Sequence, residues 1–340
     1  MSTTDAAEES SSSASTLRRG GRRFGDSLFS VLSIGSGLLI FLTLAAVAIF
    51  LTNESVPALL ASEELAGFLS NAEPDFSLIS YTAPYIFGTI LAAALALAMA
   101  IPVSLGIALF ISHYAPRRMA AGLGYMIDLL AAVPSVVYGL WGGIWLVPKL
   151  EPLYTLLNET LGTFPTWPGF VPWVGGEPVV ALFAGDPTAP MNNLASASIV
   201  LAVMVLPIIT AVSREVFLQT PRLQEEAALA LGATRFEVVK TVVLPFGRSG
   251  VVAASMLGLG RALGETMAVL MILAPGATFS FHILEVGRHQ SIAANIASRQ
   301  AEASGVDMSL LIFTGLVLFV LTFIINAIAR WIVARSGVKS

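Results

Sequence analysis

The chain has 340 residues, of which 56% are hydrophobic and 12% charged. A soluble domain is about 45–50% apolar and about 25% charged, so the composition excludes ordinary soluble classes and indicates a membrane protein. The sequence has no cysteine, and its three histidines are not spaced as a metal site, so disulfides, thiol catalysis and a metal or other cofactor are not expected. It also lacks HExxH and GxSxG sequences, which leaves an intramembrane enzyme without a catalytic constellation.

Residues 1–26 form a tail that is rich in serine and carries Asp5, Glu8 and Glu9. Such a composition cannot bury enough apolar surface to fold, so we expect a disordered cytoplasmic tail. An arginine cluster then precedes about 25 uncharged residues, more than the roughly 7–15 of a secretory signal. The run is therefore predicted to be a retained anchor and not a cleaved signal peptide.

Six apolar stretches approach the length of about 20 residues that a helix needs to cross a bilayer core of about 30 Å. They predict an all-α, polytopic membrane protein. The first span and an outer segment occupy residues 27–82, a core of five spans occupies residues 83–331, and residues 332–340 form a cytoplasmic tail. Pro102 and Pro134 should kink their helices, because each removes an internal hydrogen bond. The predicted spans are Ser27–Leu51, Ala83–Ser112, Met119–Pro148, Leu194–Val212, Ser249–Ala274 and Ser309–Ala329.

Basic residues predict the orientation, because Lys and Arg stay on the cytoplasmic side of short connecting loops. With these spans, 14 of the 18 basic residues fall on one side, including both termini. Lys149, Arg288 and Arg299 face the other side, and Arg261 falls inside a span. We therefore expect a multi-pass membrane protein with both termini in the cytoplasm.

The connection of residues 214–248, between the fourth and fifth predicted spans, has the sequence of two short helices. Thr220 can cap the first helix, and Gly232 can end it in the left-handed conformation. Thr234 and Glu237 match the T-x-x-E capping box that starts a second helix. A cytoplasmic knob of this kind suits the docking of a partner protein, and an ordinary interfacial helix is the alternative.

Two opposite charges stand one helical turn apart in the fifth predicted span, and Arg261 and Glu265 are therefore predicted to share a helix face. A charge at the bilayer centre costs about 2.5–3.5 kcal/mol, so such residues face a helix interior or a water-filled path. The pair is either an internal ion pair that fixes packing or an anion site in a transport path. Gly260 and Gly264 form a G-x-x-x-G that permits close approach of another helix, and Asp128 is expected at the membrane interface.

The connecting loop resembles the EAA loop of ABC importer permeases, whose pattern is EAA-x3-G-x9-I-x-LP. In this family the loop enters a cleft of the cytoplasmic ATPase subunit and passes its closure on to the membrane helices. The resemblance implies that Glu226 contacts the ATPase, that Ala227 and Ala228 allow close packing, and that Gly232 makes the bend. The matching residues are Glu226, Ala227, Ala228, Gly232, Leu244 and Pro245, with Val242 in place of isoleucine.

Three further segments resemble the PstC-type permeases of bacterial phosphate importers: AAVPSVVYGLWG (131–142), RALGETMAV (261–269) and LVLFVLTFIINAIAR (316–330). The resemblance implies a type I ABC importer permease that moves phosphate through the membrane. It also implies a heterodimer with a PstA-type permease, two cytoplasmic ATPase subunits and an external phosphate-binding protein. Arg261 and Glu265 match the charged pair of that family's translocation path. Lipid is the surrounding solvent, and no nucleic acid partner is expected.

Other readings remain open at the level of sequence. A related permease for sulfate or molybdate would share most of these features, whereas the EAA-like loop argues against a proton-coupled secondary carrier. The intramembrane pair argues against a scaffold or sensor. The chain has no GxxxxGK[ST] loop, so ATP hydrolysis is assigned to other subunits and the chain is not expected to be an enzyme. The predicted outer loops carry 12 acidic and three basic residues, a surface that would repel free phosphate unless a binding protein delivers it.

Overall fold

A computed structural model describes residues 24–60, 77–162, 173–174, 177–178, 182–185 and 190–336. The predicted N-terminal tail up to residue 23 and the last four residues of the chain lie outside the described residues. Twelve α-helices are found in the described part. They are α1 (Phe24–Leu60), α2 (Leu78–Leu109), α3 (Arg117–Ala131), α4 (Ser135–Trp141), α5 (Val147–Leu157), α6 (Leu194–Leu218), α7 (Arg222–Ala230), α8 (Arg235–Val238), α9 (Leu244–Leu263), α10 (Met267–Ile272), α11 (Ile292–Arg299) and α12 (Val306–Ser336).

The predicted all-α class is confirmed. Single turns of π-helix extend four of the helices, at Phe110–Tyr114, Gly142–Leu146, Asn158–Gly162 and Val239–Val243. The described β-structure is a two-stranded antiparallel pair, in which β1 (Trp173–Val174) pairs with β2 (Glu177–Pro178), and an isolated bridge between Asn193 and Val286. The chain divides into two units, Met1–Phe50 and Leu51–Ser340. The second unit holds every element that bears on function below.

Five helical stretches of the described chain are long and apolar enough to cross a membrane, and they match all the predicted spans except the third. The third consists of two segments, Arg117–Ala131 and Ser135–Thr160, that are bent by 92°. The predicted kink at Pro134 is confirmed, but one continuous helix there is wrong, because the chain turns where this residue lacks a backbone donor. The fifth span ends at Leu263 and not at Ala274.

Helix α6 forms the centre of the second unit, with buried side chains on most of its circumference. Helix α2 packs along it through a face of small residues three or four positions apart, which brings the two backbones close together. Helix α9 meets α6 at glycines, because a Cβ there would collide with α6 side chains. The small residues of α2 are Ala92, Ala93, Ala96 and Ala100, and the glycines of α9 are Gly247, Gly250 and Gly258.

Candidate translocation site and coupling loop

The chain breaks its helix between Arg261 and Glu265. Helix α9 ends at Leu263, where the last backbone hydrogen bonds are long: 3.4 Å from Gly264 N to Gly260 O and 3.4 Å from Glu265 N to the carbonyl of Ala262. Gly264 is the C-cap residue of this helix. Glycine has a lower helix propensity than every residue except proline. The expectation of one continuous helix face carrying both charges is therefore wrong.

Glu265 serves the next helix instead. Its carboxylate oxygen Oε1 accepts a hydrogen bond of 3.1 Å from the backbone N–H of Ala268 in the first turn of α10. The Glu265 side chain is buried, and the free N–H groups and positive end of a helix start stabilise a carboxylate there. Among the described residues, the four ion pairs lie elsewhere, so no salt bridge joins Arg261 to Glu265.

Arg261 borders a cavity of about 480 Å³ that lies between α6, α9 and α12. Its Nε atom is buried and has no hydrogen-bond partner among the described residues. A buried donor without a partner costs about 1–3 kcal/mol, and among the described residues no salt bridge neutralises the guanidinium at the cavity wall. The cavity is lined by Ile208, Ala253, Met256, Leu257, Gly260, Arg261 and Asn326.

Asn326 is the second polar side chain of this cavity, and sequence reasoning did not single it out. The available signal was a lone amide within the apolar run 316–330, since polar side chains at membrane depth are costly and often functional. An amide offers N–H donors without adding charge. The cavity therefore combines one cation with one neutral donor.

The two segments that resemble PstC-type permeases most closely are in contact. Gly139 of α4 faces Ala268 of α10, and Gly142 faces Ile272 of α10 together with Val200 of α6. A Cβ at either glycine would collide with these neighbours. The bent third span thus packs against α10, the helix that Glu265 caps.

The G-x-x-x-G of Gly260 and Gly264 does not admit another helix within the described part of the chain. A Cβ at Gly260 would meet open space, and one at Gly264 would meet only the carbonyl of Gly260. Their predicted packing role stays a prediction for a partner helix.

The coupling loop, residues 214–248, has the two predicted helices. Gly232 adopts the left-handed conformation with φ of +86°, as predicted. The capping box is also confirmed: Thr234 N donates to Glu237 Oε2 over 2.7 Å, and Glu237 N donates to Thr234 Oγ1 over 3.3 Å. The predicted cap at Thr220 is wrong, because its N–H closes the last turn of α6 and α7 begins after Pro221.

The residues that match the EAA pattern lie on the surface of this loop. Glu226, Ala227, Gly232 and Pro245 are exposed, whereas Ala228 and Leu244 are partly buried. None of the residues of α7, all of which the structure describes, is buried. Large apolar side chains are exposed nearby: Leu223 by 79%, Leu231 by 90% and Phe236 by 67%. The second helix of the loop continues without a gap into α9.

Two contacts near the coupling loop were not predicted. Arg214 of α6 lies 3.5 Å from Asp128 of α3, so the expected interfacial aspartate has a partner. The Arg214 guanidinium fills the space that a side chain at Gly124 would need. His113, in the π-turn after α2, lies 3.6 Å from Glu225 of α7.

A small ionic network lies in the segment between α10 and α11. Glu285 contacts Arg288 over 2.6 Å and the ring of His282 over 3.3 Å. Burial alone would raise the pKa of Glu285, but the hydrogen bonds and charges of Arg288 and His282 hold that pKa below its ordinary value. Nearby, Asn193 donates to the carbonyl of Leu284 over 3.0 Å and fixes the segment to the start of α6.

Comparison with known proteins gives consistent results. Residues 100–338 match the model of the family described as binding-protein-dependent transport system inner membrane component. A Mycobacterium tuberculosis protein named phosphate transport system permease protein PstC 2 is 46% identical over 314 residues, which cover 91% of each chain. Phosphate transport system permease protein PstC of Xylella fastidiosa is 40% identical over 255 residues, covering 75% of this chain and 74% of that protein.

A solved structure shares the fold. It is a bacterial alginate ABC transporter in complex with an alginate pentasaccharide-bound periplasmic protein, with a TM-score of 0.55 and 15% sequence identity. The match covers 92% of this chain and 98% of the other. At this identity the likeness concerns the fold alone, which is that of an ABC importer permease. The chain therefore belongs to the family of binding-protein-dependent inner-membrane transport components, and within it to the PstC permeases.

Proposed function

We propose that this chain is the phosphate-translocating permease subunit of an ATP-driven importer. It forms a heterodimer with a PstA-type permease. This heterodimer works with two cytoplasmic ATPase subunits and an external phosphate-binding protein. The observation that carries the proposal is Arg261, a cation with an unpartnered buried Nε beside a membrane cavity, in a chain of this family. The phosphate transport names of its relatives supply the substrate.

Arg261 suits this role because a guanidinium presents planar donors that match phosphate oxygens. No salt bridge to Glu265 has to break first, since none of the four ion pairs of the described residues joins the two side chains and the Glu265 carboxylate accepts the Ala268 N–H instead. Glu265 acts in the path mainly by holding the start of α10 next to Arg261. Asn326 adds a neutral donor from α12.

The coupling loop docks the ATPase subunit. Its apolar side chains at Leu223, Leu231 and Phe236 are exposed outside the core of the permease, and exposed apolar groups of this kind mark interaction sites. Its continuity with α9 carries a displacement of the loop toward Arg261. The chain itself has no catalytic role, and ATP hydrolysis belongs to its partner.

The deciding experiment measures ATP hydrolysis by the purified complex with phosphate-loaded binding protein, with sulfate-loaded binding protein and with none. Stimulation by the phosphate-loaded protein alone is expected. Equal stimulation by the sulfate-loaded protein would show that the substrate is a broader class of oxyanions and not phosphate alone. No stimulation by either protein would contradict transport of these anions.

We also propose that both termini and the coupling loop face the cytoplasm. The chain has no native cysteine, so single cysteines can be labelled with an impermeant reagent without background. Cysteines at Glu64, Glu159 and Glu302 should react from outside intact cells, and one at Arg117 should not. Labelling at position 117 from outside would show that the proposed orientation is wrong.

A further inference from the structure

The two helices of the coupling loop are held in different ways. The π-turn after α8 is anchored by an apolar cluster of Ala108, Phe217, Val239 and Val243. Helix α7, which carries Glu226, has no buried residue along its fully described length. In the described part of the chain, α7 meets a membrane helix through the contact of Glu225 with His113, in the π-turn that extends α2, with 3.6 Å between Oε1 and Nε2.

The hydrogen bonds around His113 orient its ring toward Glu225. Ser112 Oγ lies 2.8 Å from the carbonyl of Ala108 and gives its proton to it. Nδ1 of His113 lies 2.7 Å from the same Oγ, and this contact fixes the orientation of the ring. Nε2 then lies 3.6 Å from Oε1 of Glu225. The flanking cavities also bring Arg222, Arg235 and Glu226 near this pair.

Helix α2 connects this contact with the opposite face of the molecule. Near its other end, Thr89 Oγ1 accepts a hydrogen bond of 3.0 Å from the backbone N–H of Ile292. The hydroxyl of Tyr81 accepts a bond of 2.7 Å from Arg299 Nη1. Helix α2 with its π-turn therefore contacts α7 at one end and α11 in its first half.

We infer that His113 and Glu225 are positioning residues that couple ATPase movement to α2, so that a displacement of α7 moves α2 along the molecule. The inference rests on the proposed docking of an ATPase at the coupling loop. Glu225 precedes the EAA pattern and differs from Glu226, which faces solvent. Its partner lies within the permease and not in the ATPase.

The test uses the whole complex with His113→Leu, Glu225→Gln and the double variant. Each single change should leave assembly and ATP hydrolysis intact but lower phosphate uptake per ATP hydrolysed by about 5-fold or more, the lower range for coupling between two sites. The double variant should be no worse than the worse single, because both changes remove one interaction. His113→Lys, which keeps an N–H donor opposite Glu225, should retain most of the coupling.

Glu215→Gln is the matched control and should couple normally, since Glu215 is an exposed glutamate in the last turn of α6, before the two helices that dock the ATPase. The inference would be overturned if both single variants coupled normally, or if the control lost as much coupling as they do. It would also be overturned if the losses of coupling in the two single variants multiplied in the double variant, or if the single variants failed to bind the ATPase. The comparison of each variant with the wild type does not depend on which anion is transported. If the wild-type complex responds to another anion, the proposed substrate fails, while the same variants assayed with that anion still decide the coupling role.

Discussion

The coupling loop and the break after α9 are both short, polar interruptions of an apolar chain, yet their geometry has different origins. In the loop, Thr234 and Glu237 satisfy each other's backbone donors within one turn. At the break, Arg261 and Glu265 turn away from each other to a cavity and to a new helix. Mutual hydrogen bonds therefore fix the first geometry, whereas the three-residue gap gives the two charges separate surroundings, a cavity between three helices for Arg261 and a local cap of α10 for Glu265.

The largest effect is expected for Arg261, and it distinguishes a role in anion translocation from a role in helix packing. Arg261→Gln should abolish phosphate uptake by membrane vesicles while the complex stays assembled. Removing one partner of a buried charged contact costs about 2–5 kcal/mol, so the loss should reach about 100-fold. Arg261→Lys should be partly defective, because a compact ammonium lacks the planar fork.

The charge swap Arg261→Glu with Glu265→Arg should not restore uptake, because an arginine at position 265 cannot accept the Ala268 N–H. Near-normal uptake in a variant with apolar residues at both positions would refute the translocation role of Arg261.

The second prediction challenges the loop. Gly232→Pro cannot adopt the φ of +86°, and Glu226→Lys reverses an exposed charge. Both should fail in pull-down with the ATPase subunit and should uncouple hydrolysis, while the membrane domain keeps its thermal unfolding temperature. Normal assembly and uptake in both variants would remove the docking role from this loop.

The third prediction concerns Glu265 and distinguishes its shape from its charge. Glu265→Leu leaves the buried Ala268 N–H without a partner and should lower stability by about 1–3 kcal/mol. Glu265→Gln keeps an accepting oxygen and should unfold at close to the wild-type temperature. Any loss of uptake in the glutamine variant then measures the charge alone. Equal stability of both variants would contradict the capping role.

Asn326→Leu should have a smaller effect on uptake. A neutral hydrogen bond contributes about 0.5–1.5 kcal/mol, which corresponds to a roughly 2- to 10-fold loss. Asn326→Ser, which keeps a donor, is the control. An identical loss in both variants would show that volume, and not hydrogen bonding, matters at this position.

The smallest effect is expected for Thr234→Ala, which removes the cap of α8. The change should cost about 1 kcal/mol locally and speed amide hydrogen exchange in residues 235–238 without altering uptake. Unchanged exchange would show that the continuity of α8 with α9 alone holds this turn.

Sequence reasoning succeeded where a local rule applies. Hydropathy predicts the spans. The preference of glycine for the left-handed conformation predicts the helix end at Gly232, and the T-x-x-E pattern predicts the capping box of Thr234 and Glu237. It failed at the 92° bend beside Pro134, because a missing donor predicts a kink but not its angle. The position of Asn326 beside Arg261 depends on the packing of α12 against α9, whose residues lie far apart in the chain, and the charge spacing of Arg261 and Glu265 did not reveal that Glu265 caps a new helix.

The alanine face of α2 has a consequence for movement. Side chains no larger than a methyl group form shallow ridges, so Ala92, Ala93, Ala96 and Ala100 interlock weakly with α6. Closely packed helices with shallow ridges can slide in small shear steps without repacking large side chains. We expect α2 to shift along α6 in this way, which would let a transporter alternate between two open states while its core stays packed.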